Sequence, residues 1–292
     1  MDSTSRSDRA ARSDAAVTKV GFIGLGDMGG AIATRIIDAG WNTILWARRS
    51  LALDAFRGPD VEVAATPAEL AATADVIGIC VWSDDDVREV LTGERGVLEG
   101  CRPGAVIAIH STVLPSTVRE VAALAAKTGV HVVDAPVSGG RTVALGGSLT
   151  LAVGGDPGAL ACCRPVFDSF AGEVVRMGDV GAGQVAKLLN NMLFAANFAV
   201  ADDAITLGEA LGVDAGALAQ FLRAGSGRSY ALDVVQRTRA SEVTRQAALP
   251  ALQKDVDRLT TEASDHGIAD TPLRHAAGEA LRRLRDPPPG WQ

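Results

Sequence analysis

The residues best placed to do chemistry are Lys187 and Asn191 in the stretch GAGQVAKLLNN. The segment that follows, MLFAANFAVADDAITLGEALG, is apolar on almost every face at first and reads as one long helix buried all round. On a helix, Lys187 and Asn191 stand one turn apart on a single face. A buried ammonium is costly unless it is paired or has a task. Asp202 and Asp203 lie too far along the helix to pair with it.

A second group is the turn GLGDMG: Gly24, Leu25, Gly26, Asp27, Met28 and Gly29. It follows the strand-like run VGFI, opens a helical pattern, and has a second strand beginning near Trp41, the context a dinucleotide turn needs. Gly24 then makes the tight turn, Gly26 lets a pyrophosphate approach the backbone, and Gly29 lets helix and strand pack closely. The helix N-terminus supplies free N–H groups and a positive dipole end. At the end of the second strand an NAD site usually carries an acid for the ribose 2′-hydroxyl. This chain has Ala47 there, then Arg48 and Arg49. Guanidinium forks suit a 2′-phosphate, so the expected cofactor is NADP. A third group, Ser138, Gly139 and Gly140, ends another strand, where free backbone N–H groups and a hydroxyl make a cradle for a carboxylate.

The elements that position these groups fall into two regions. From Lys19 to about Gly178, the apolar runs VGFIGLG, WNTILWA, VIGICVW, AVIAIH, HVVDAPV and LTLAVGG alternate with helical patterns such as GGAIATRIIDAG, PAELAATA, DDVREVLTG and LPSTVREVAALAAKTG. That alternation predicts an α/β Rossmann-type domain with a parallel sheet. After Gly178 the strand-like runs vanish and helical patterns continue to about Arg285, predicting an all-α domain. The expected boundaries are a disordered extension over 1–17, the NADP-binding domain over 18–179 and the helical domain over 180–292. The tail DPPPGWQ reads as an unstructured end. The acids at 84–86 read as a helix N-terminus, and His110, His131, His266 and His275 as structural or surface residues.

Bulk properties agree with such a protein. Of 292 residues 47% are hydrophobic and 22% charged, and the net charge of −7 argues against wholesale nucleic-acid or anionic-membrane binding. No segment reaches the roughly 18 uninterrupted apolar residues of a membrane span. Asp2, Asp8 and Asp14 among the N-terminal arginines argue against a transit peptide. The four cysteines follow no metal spacing, so no metal is expected, and reduced thiols in a cytoplasmic protein are the reading.

GFIGLGDMG, DAPVSGG and GAGQVAKLLNN, in this order and spacing, resemble the β-hydroxyacid dehydrogenase family, which includes 3-hydroxyisobutyrate, tartronate semialdehyde and succinic semialdehyde enzymes. The resemblance runs from Lys19 to about Leu284. It implies a Rossmann-type domain followed by a helical domain that mediates dimer or tetramer formation. It implies that Lys187 is the catalytic acid/base, that Asn191 helps bind substrate, and that Ser138, Gly139 and Gly140 hold the substrate carboxylate. HSTVLPST matches the segment whose threonine, here Thr112, lies near the nicotinamide. QKDVDRL makes Lys254 a cofactor- or substrate-contacting residue, and CVWS places Val81 and Trp82 along the cofactor. Arg141, Ser226 and Ser229 are further candidates for the substrate pocket.

Lys187 then acquires a task. Hydride transfer from an alcohol carbon needs the hydroxyl proton removed, and a desolvated lysine can take it and return it. The expected activity is NADP-dependent interconversion of a small β-hydroxyacid and its semialdehyde. The alternatives are an imine reductase, a related architecture in which the lysine position is typically replaced, and a non-catalytic NADPH-binding protein; Lys187 and Asn191 argue against both. Val143 stands where the family commonly has glycine, Trp82 is bulkier than usual, and QAALPALQ replaces an aromatic-rich segment before Lys254.

Overall fold

The computed structural model describes residues 19–56, 58, 61–268, 270–288 and 291. The 1–17 extension lies outside them. Two compact units divide between Lys187 and Leu188.

The first unit is built on one sheet. Its strands are β1 (Lys19–Ile23), β2 (Asn42–Trp46), β3 (Val61–Val63), β4 (Val76–Ile79), β5 (Val106–Ile109), β6 (His131–Asp134), β7 (Val137–Ser138), β8 (Leu149–Gly154) and β9 (Ala171–Gly178). The order is β3-β2-β1-β4-β5-β6-β8-β7, with β9 paired to β8. The run β3 to β6 is parallel throughout. Beyond that parallel run the direction changes: β8 is antiparallel to both β6 and β7, and β9 restores a parallel pair. A parallel return needs a crossover of about a dozen residues or more, and residues 139–148 between β7 and β8 are too few.

Helices cover both faces. On one lie α1 (Asp27–Asp38), α6 (Gly140–Leu145) and α7 (Pro157–Phe167), which bury Ile32, Ile36, Ala144 and Phe167 against Val20 and Phe22 of β1. On the other lie α2 (Pro67–Thr73), α3 (Asp84–Thr92), α4 (Val97–Gly100) and α5 (Pro115–Ala126), packed on Ile23, Ile77, Ile79 and Ile107. Strands buried on both faces account for the continuous apolar runs in the sequence. The helix starts are written locally. Thr66 and Asp156 cap α2 and α7 ahead of Pro67 and Pro157, and Ser83 with Asp86 forms a capping box at α3.

His110, just after β5, is buried in this unit. Its ring stacks on Phe22 with centroids 6.0 Å apart and meets the edges of Phe167 and Phe170 at 5.5 Å each. Nδ1 lies 2.9 Å from the Ala135 carbonyl oxygen, an acceptor, so Nδ1 carries the proton. Burial pushes the His110 pKa down to about 4.

The second unit is helical. The 29-residue helix α8 (Ala182–Ala210) runs across the division, followed by α9 (Ala215–Ala224), α10 (Tyr230–Arg239), α11 (Glu242–Asp265) and α12 (Pro272–Arg285). Leu188, Met192, Phe198, Val235, Val256 and Leu281 form its core. Helix α8 is not buried all round, as its sequence suggested. Leu189, Leu193, Val200 and Leu207 are 44–58% exposed and repeat at helical spacing along one stripe. Asp202 is fully buried, accepting from Arg239 and Arg283 at 2.6 Å each. Nor is the chain end wholly unstructured: Trp291 packs against Phe198 at 6.2 Å and under the Arg245 guanidinium at 5.6 Å.

Candidate functional site

In the first unit the candidate groups gather at one edge of the sheet. The Gly24–Gly29 turn follows β1, Val81 and Trp82 follow β4, Ser111–Val113 follow β5, and Asp134 ends β6. This is the carboxyl edge of the parallel strands, and the order turns back between β1 and β4, where open α/β sheets bind nucleotides.

The turn has the shape a pyrophosphate requires. A side chain on Gly24 would strike the Cys80 carbonyl, and one on Gly29 the Gly24 carbonyl, so strand and helix approach closely at both. Over Gly26 there is open space within 4 Å, and no side chain caps the N-terminus of α1. The backbone N–H groups of that first turn therefore face outward, as an anion site demands. The residues fit a dinucleotide.

Arg48 and Arg49 are exposed just past β2. Arg48 lies 3.2 Å from Asp86 and 3.8 Å from Glu89 on α3. With 71% of the Arg48 side chain exposed, such pairs contribute about 0–1 kcal/mol and do not lock the guanidinium away. Trp82 is 61% exposed beside the half-buried Val81.

Ser138 ends β7, and the chain passes through Gly139 at φ +137° and Gly140 at φ +81° into α6. Only glycine takes such angles without strain, which explains the pair. Arg141 donates to the Asp27 carbonyl at 3.0 Å, joining the Ser-Gly-Gly loop to the dinucleotide turn.

The start of α8 is held from three sides. The buried Asp134 carboxylate accepts from the Gly181 and Gln184 backbone N–H groups, at 2.7 Å each. Burial pushes its carboxyl above the usual carboxylate range, and those hydrogen bonds pull against that shift. Gly181 has φ +97°, and a side chain on Gly183 would run into the Ala152 and Asp134 carbonyls. The Gln184 side chain, fully buried, accepts from the Val113 N–H at 3.1 Å and donates to the Ser111 carbonyl at 2.9 Å. Ser111 Oγ in turn accepts from the Val81 N–H at 2.8 Å. Lys187, half-buried, follows Gln184 by three residues on this anchored turn, and Thr112 sits between the two residues Gln184 binds.

In the second unit Asn191 donates to Asp255 at 2.6 Å. Asp255 is buried, with Lys254 and Arg258 at 3.7 Å from its other oxygen. Helix α11 runs through the unusual QAALPALQ segment with Pro250 inside it. Ser229 serves as the N-cap of α10, and Ser226 is exposed. Sequence reasoning misses Asp134, Gln184 and Asp255 as functional supports, although each lies within one of the motifs.

Family models match both parts of the chain: the NAD binding domain of 6-phosphogluconate dehydrogenase over residues 19–178, and the NAD-binding domain of NADP-dependent 3-hydroxyisobutyrate dehydrogenase over residues 181–286. The chain belongs to the β-hydroxyacid dehydrogenase family, whose members are NAD(P)-dependent hydroxyacid dehydrogenases. A probable mitochondrial 3-hydroxyisobutyrate dehydrogenase of Dictyostelium discoideum is 36% identical over 72% of this chain and 66% of its own length. An NAD-dependent L-serine dehydrogenase of Pseudomonas aeruginosa is 35% identical over 91% of this chain and 92% of its own. Among solved structures, a Mycobacterium tuberculosis 3-hydroxyisobutyrate dehydrogenase with L-serine superposes with a TM-score of 0.80 at 28% identity, covering 93% of this chain and 95% of that one.

Proposed function

We propose that this protein is an NADP-dependent oxidoreductase that interconverts a small β-hydroxyacid of the 3-hydroxyisobutyrate type and its semialdehyde. The observation that carries the reading is the attachment of the Lys187 turn, through Asp134 and Gln184, to the strand ends that form the nucleotide edge of the sheet. The cofactor supplies the hydride acceptor. Ser138, Gly139 and Gly140 hold the substrate carboxylate with backbone N–H groups and a hydroxyl. Lys187, as the amine, takes the hydroxyl proton while the carbinol C–H leaves as hydride, and returns the proton in the reduction. Asn191, held by Asp255, orients the substrate oxygen. Thr112, Val81 and Trp82 would line the nicotinamide, Lys254 would contact cofactor or substrate, and Arg48 and Arg49 would hold the 2′-phosphate.

The substrates named for the relatives, 3-hydroxyisobutyrate and L-serine, share a 3-hydroxypropanoate skeleton and differ at C2, methyl against amino. The reading here is a carboxylate-bearing substrate with a small C2 substituent. The exposed stripe of Leu189, Leu193, Val200 and Leu207 supports a homodimer or homotetramer, and the setting read from the sequence is cytoplasmic. Among the described residues no helix is long and apolar enough to cross a membrane. The test is turnover with NADP+ or NAD+ and a panel of 3-hydroxyisobutyrate, L-serine, glycerate and 4-hydroxybutyrate, with the matching aldehydes in reverse. Activity on none of them refutes the proposal.

A further inference from the structure

We propose that Gln184 is a positioning residue for this reaction, clamping the peptide around Thr112 to the turn that carries Lys187; the inference rests on the functional reading above. One buried side chain spans both sides of Thr112: its carbonyl oxygen takes the Val113 N–H at 3.1 Å, and its amide nitrogen gives to the Ser111 carbonyl at 2.9 Å. Only this orientation of the amide pairs a donor with an acceptor at both ends. The backbone N–H of the same residue is held by Asp134 at 2.7 Å, so the clamp is fixed to the sheet as well as to the helix. Ser111 extends the chain of bonds to the Val81 N–H at 2.8 Å. The result is one hydrogen-bonded frame. It joins the segment after β4, the segment after β5 and the first turns of α8, the three places where Val81, Thr112 and Lys187 sit.

The chemistry of a clamp differs from that of packing. Glutamate at this position keeps the acceptor for Val113 but sets a carboxylate oxygen against the Ser111 carbonyl, and regains the donor only when protonated. Truncation to alanine removes both bonds and leaves Val113 N–H and Ser111 C=O without the side chain that held them. A displacement near 1 Å between reacting groups can cost about 10²-fold in rate. Gln184→Ala is therefore expected to lower kcat by about 10- to 100-fold, with the NADPH dissociation constant changed less than about 3-fold. The primary isotope effect with nicotinamide-deuterated NADPH should rise as the hydride step becomes limiting. Gln184→Glu should lose activity at pH 8 and recover part of it as the pH falls to 6.

The experiment measures these rates beside amide hydrogen exchange of Val113 in wild type and both variants. Faster Val113 exchange together with the selective loss of kcat supports the clamp. A folded Gln184→Ala enzyme with kcat within 2-fold of wild type overturns it. So does an equal loss of kcat and NADPH affinity, or a Gln184→Glu rate that does not rise on acidification relative to wild type. Should Gln184→Ala not fold, the Gln184→Glu pH comparison decides by itself. Wild type inactive on every β-hydroxyacid defeats the functional reading, and Val113 exchange then still decides whether the clamp exists: no acceleration in either variant overturns it.

Discussion

Acidification should destabilise the first unit through one histidine. His110 is buried among Phe22, Phe167 and Phe170, donates Nδ1–H to Ala135 and has its pKa held down to about 4. Between pH 6.5 and 4 the unfolded chain therefore binds a proton that the folded chain refuses, so stability falls as the pH falls. Above 6.5 both states are neutral and the effect vanishes; below 4 it levels off. At 1.36 kcal/mol per unit the full loss is about 3 kcal/mol, and by pH 5 it is about 2 kcal/mol. The raised Asp134 carboxyl works in the opposite direction, since the folded state there takes its proton first as the pH drops. A comparison with His110→Phe cancels that and every other shared titration. The variant loses the bond to Ala135, which costs about 1–3 kcal/mol at pH 7, but the gap between the two proteins should narrow by about 2 kcal/mol on going to pH 5. Urea unfolding followed by tryptophan emission reads this unit well, because Trp41, Trp46 and Trp82 lie in it and Trp291→Phe removes the remaining one. If wild type and His110→Phe lose stability in parallel from pH 6.5 to 4, the buried histidine is not the cause.

Lys187→Ala should lower kcat by about 10²–10⁴ with NADPH affinity nearly unchanged, and Lys187→Arg should not rescue it; turnover near wild type in the folded variant removes the lysine from the mechanism. Replacing Arg48 and Arg49 together by alanine should shrink a preference for NADPH while sparing NADH, read as the ratio of kcat/KM; a wild type that prefers NADH contradicts the assignment. Asp202→Ala leaves Arg239 and Arg283 without their buried partner and should destabilise the helical unit by about 3–5 kcal/mol, measured by thermal unfolding of the full chain. Leu193→Glu with Val200→Glu should shift sedimentation toward monomer at micromolar concentration, and a wild type already monomeric there argues against the interface.

Where local sequence decides structure, the fold is legible in the chain. Alternation of strands and helices, proline-led helix starts and the glycine turn after β1 each follow from nearby residues, and all stand in the fold. Strand β9 (AGEVVRMG) is hidden because Glu173 and Arg176 interrupt its apolar pattern, and most of its residues are exposed. The antiparallel β8 is hidden because strand direction depends on the length of the connection, which no local pattern announces. The exposed stripe of α8 looks like core because composition reports that a face is apolar, not what covers it. At the candidate site the motif residues are legible as motifs, whereas their supports are not. Gln184 meets Val113 and Ser111 across more than seventy residues, and Asn191 meets Asp255 across 64. Contacts of that span belong to the folded chain.

The anchoring of α8 makes its opening stretch intolerant of changes in length. Gly181, Gly183 and Gln184 are tied to the sheet and Lys187 is reached by counting along the helix, so each residue inserted or deleted between Gln184 and Lys187 would swing the ammonium by about 100° around the axis. Short of a π-bulge that takes up one extra residue, only whole turns restore the direction, and those move it by about 5.4 Å along the axis. Exchange of side chains at Val185 and Ala186 keeps this register, and chimeras with relatives need their junction outside 181–187.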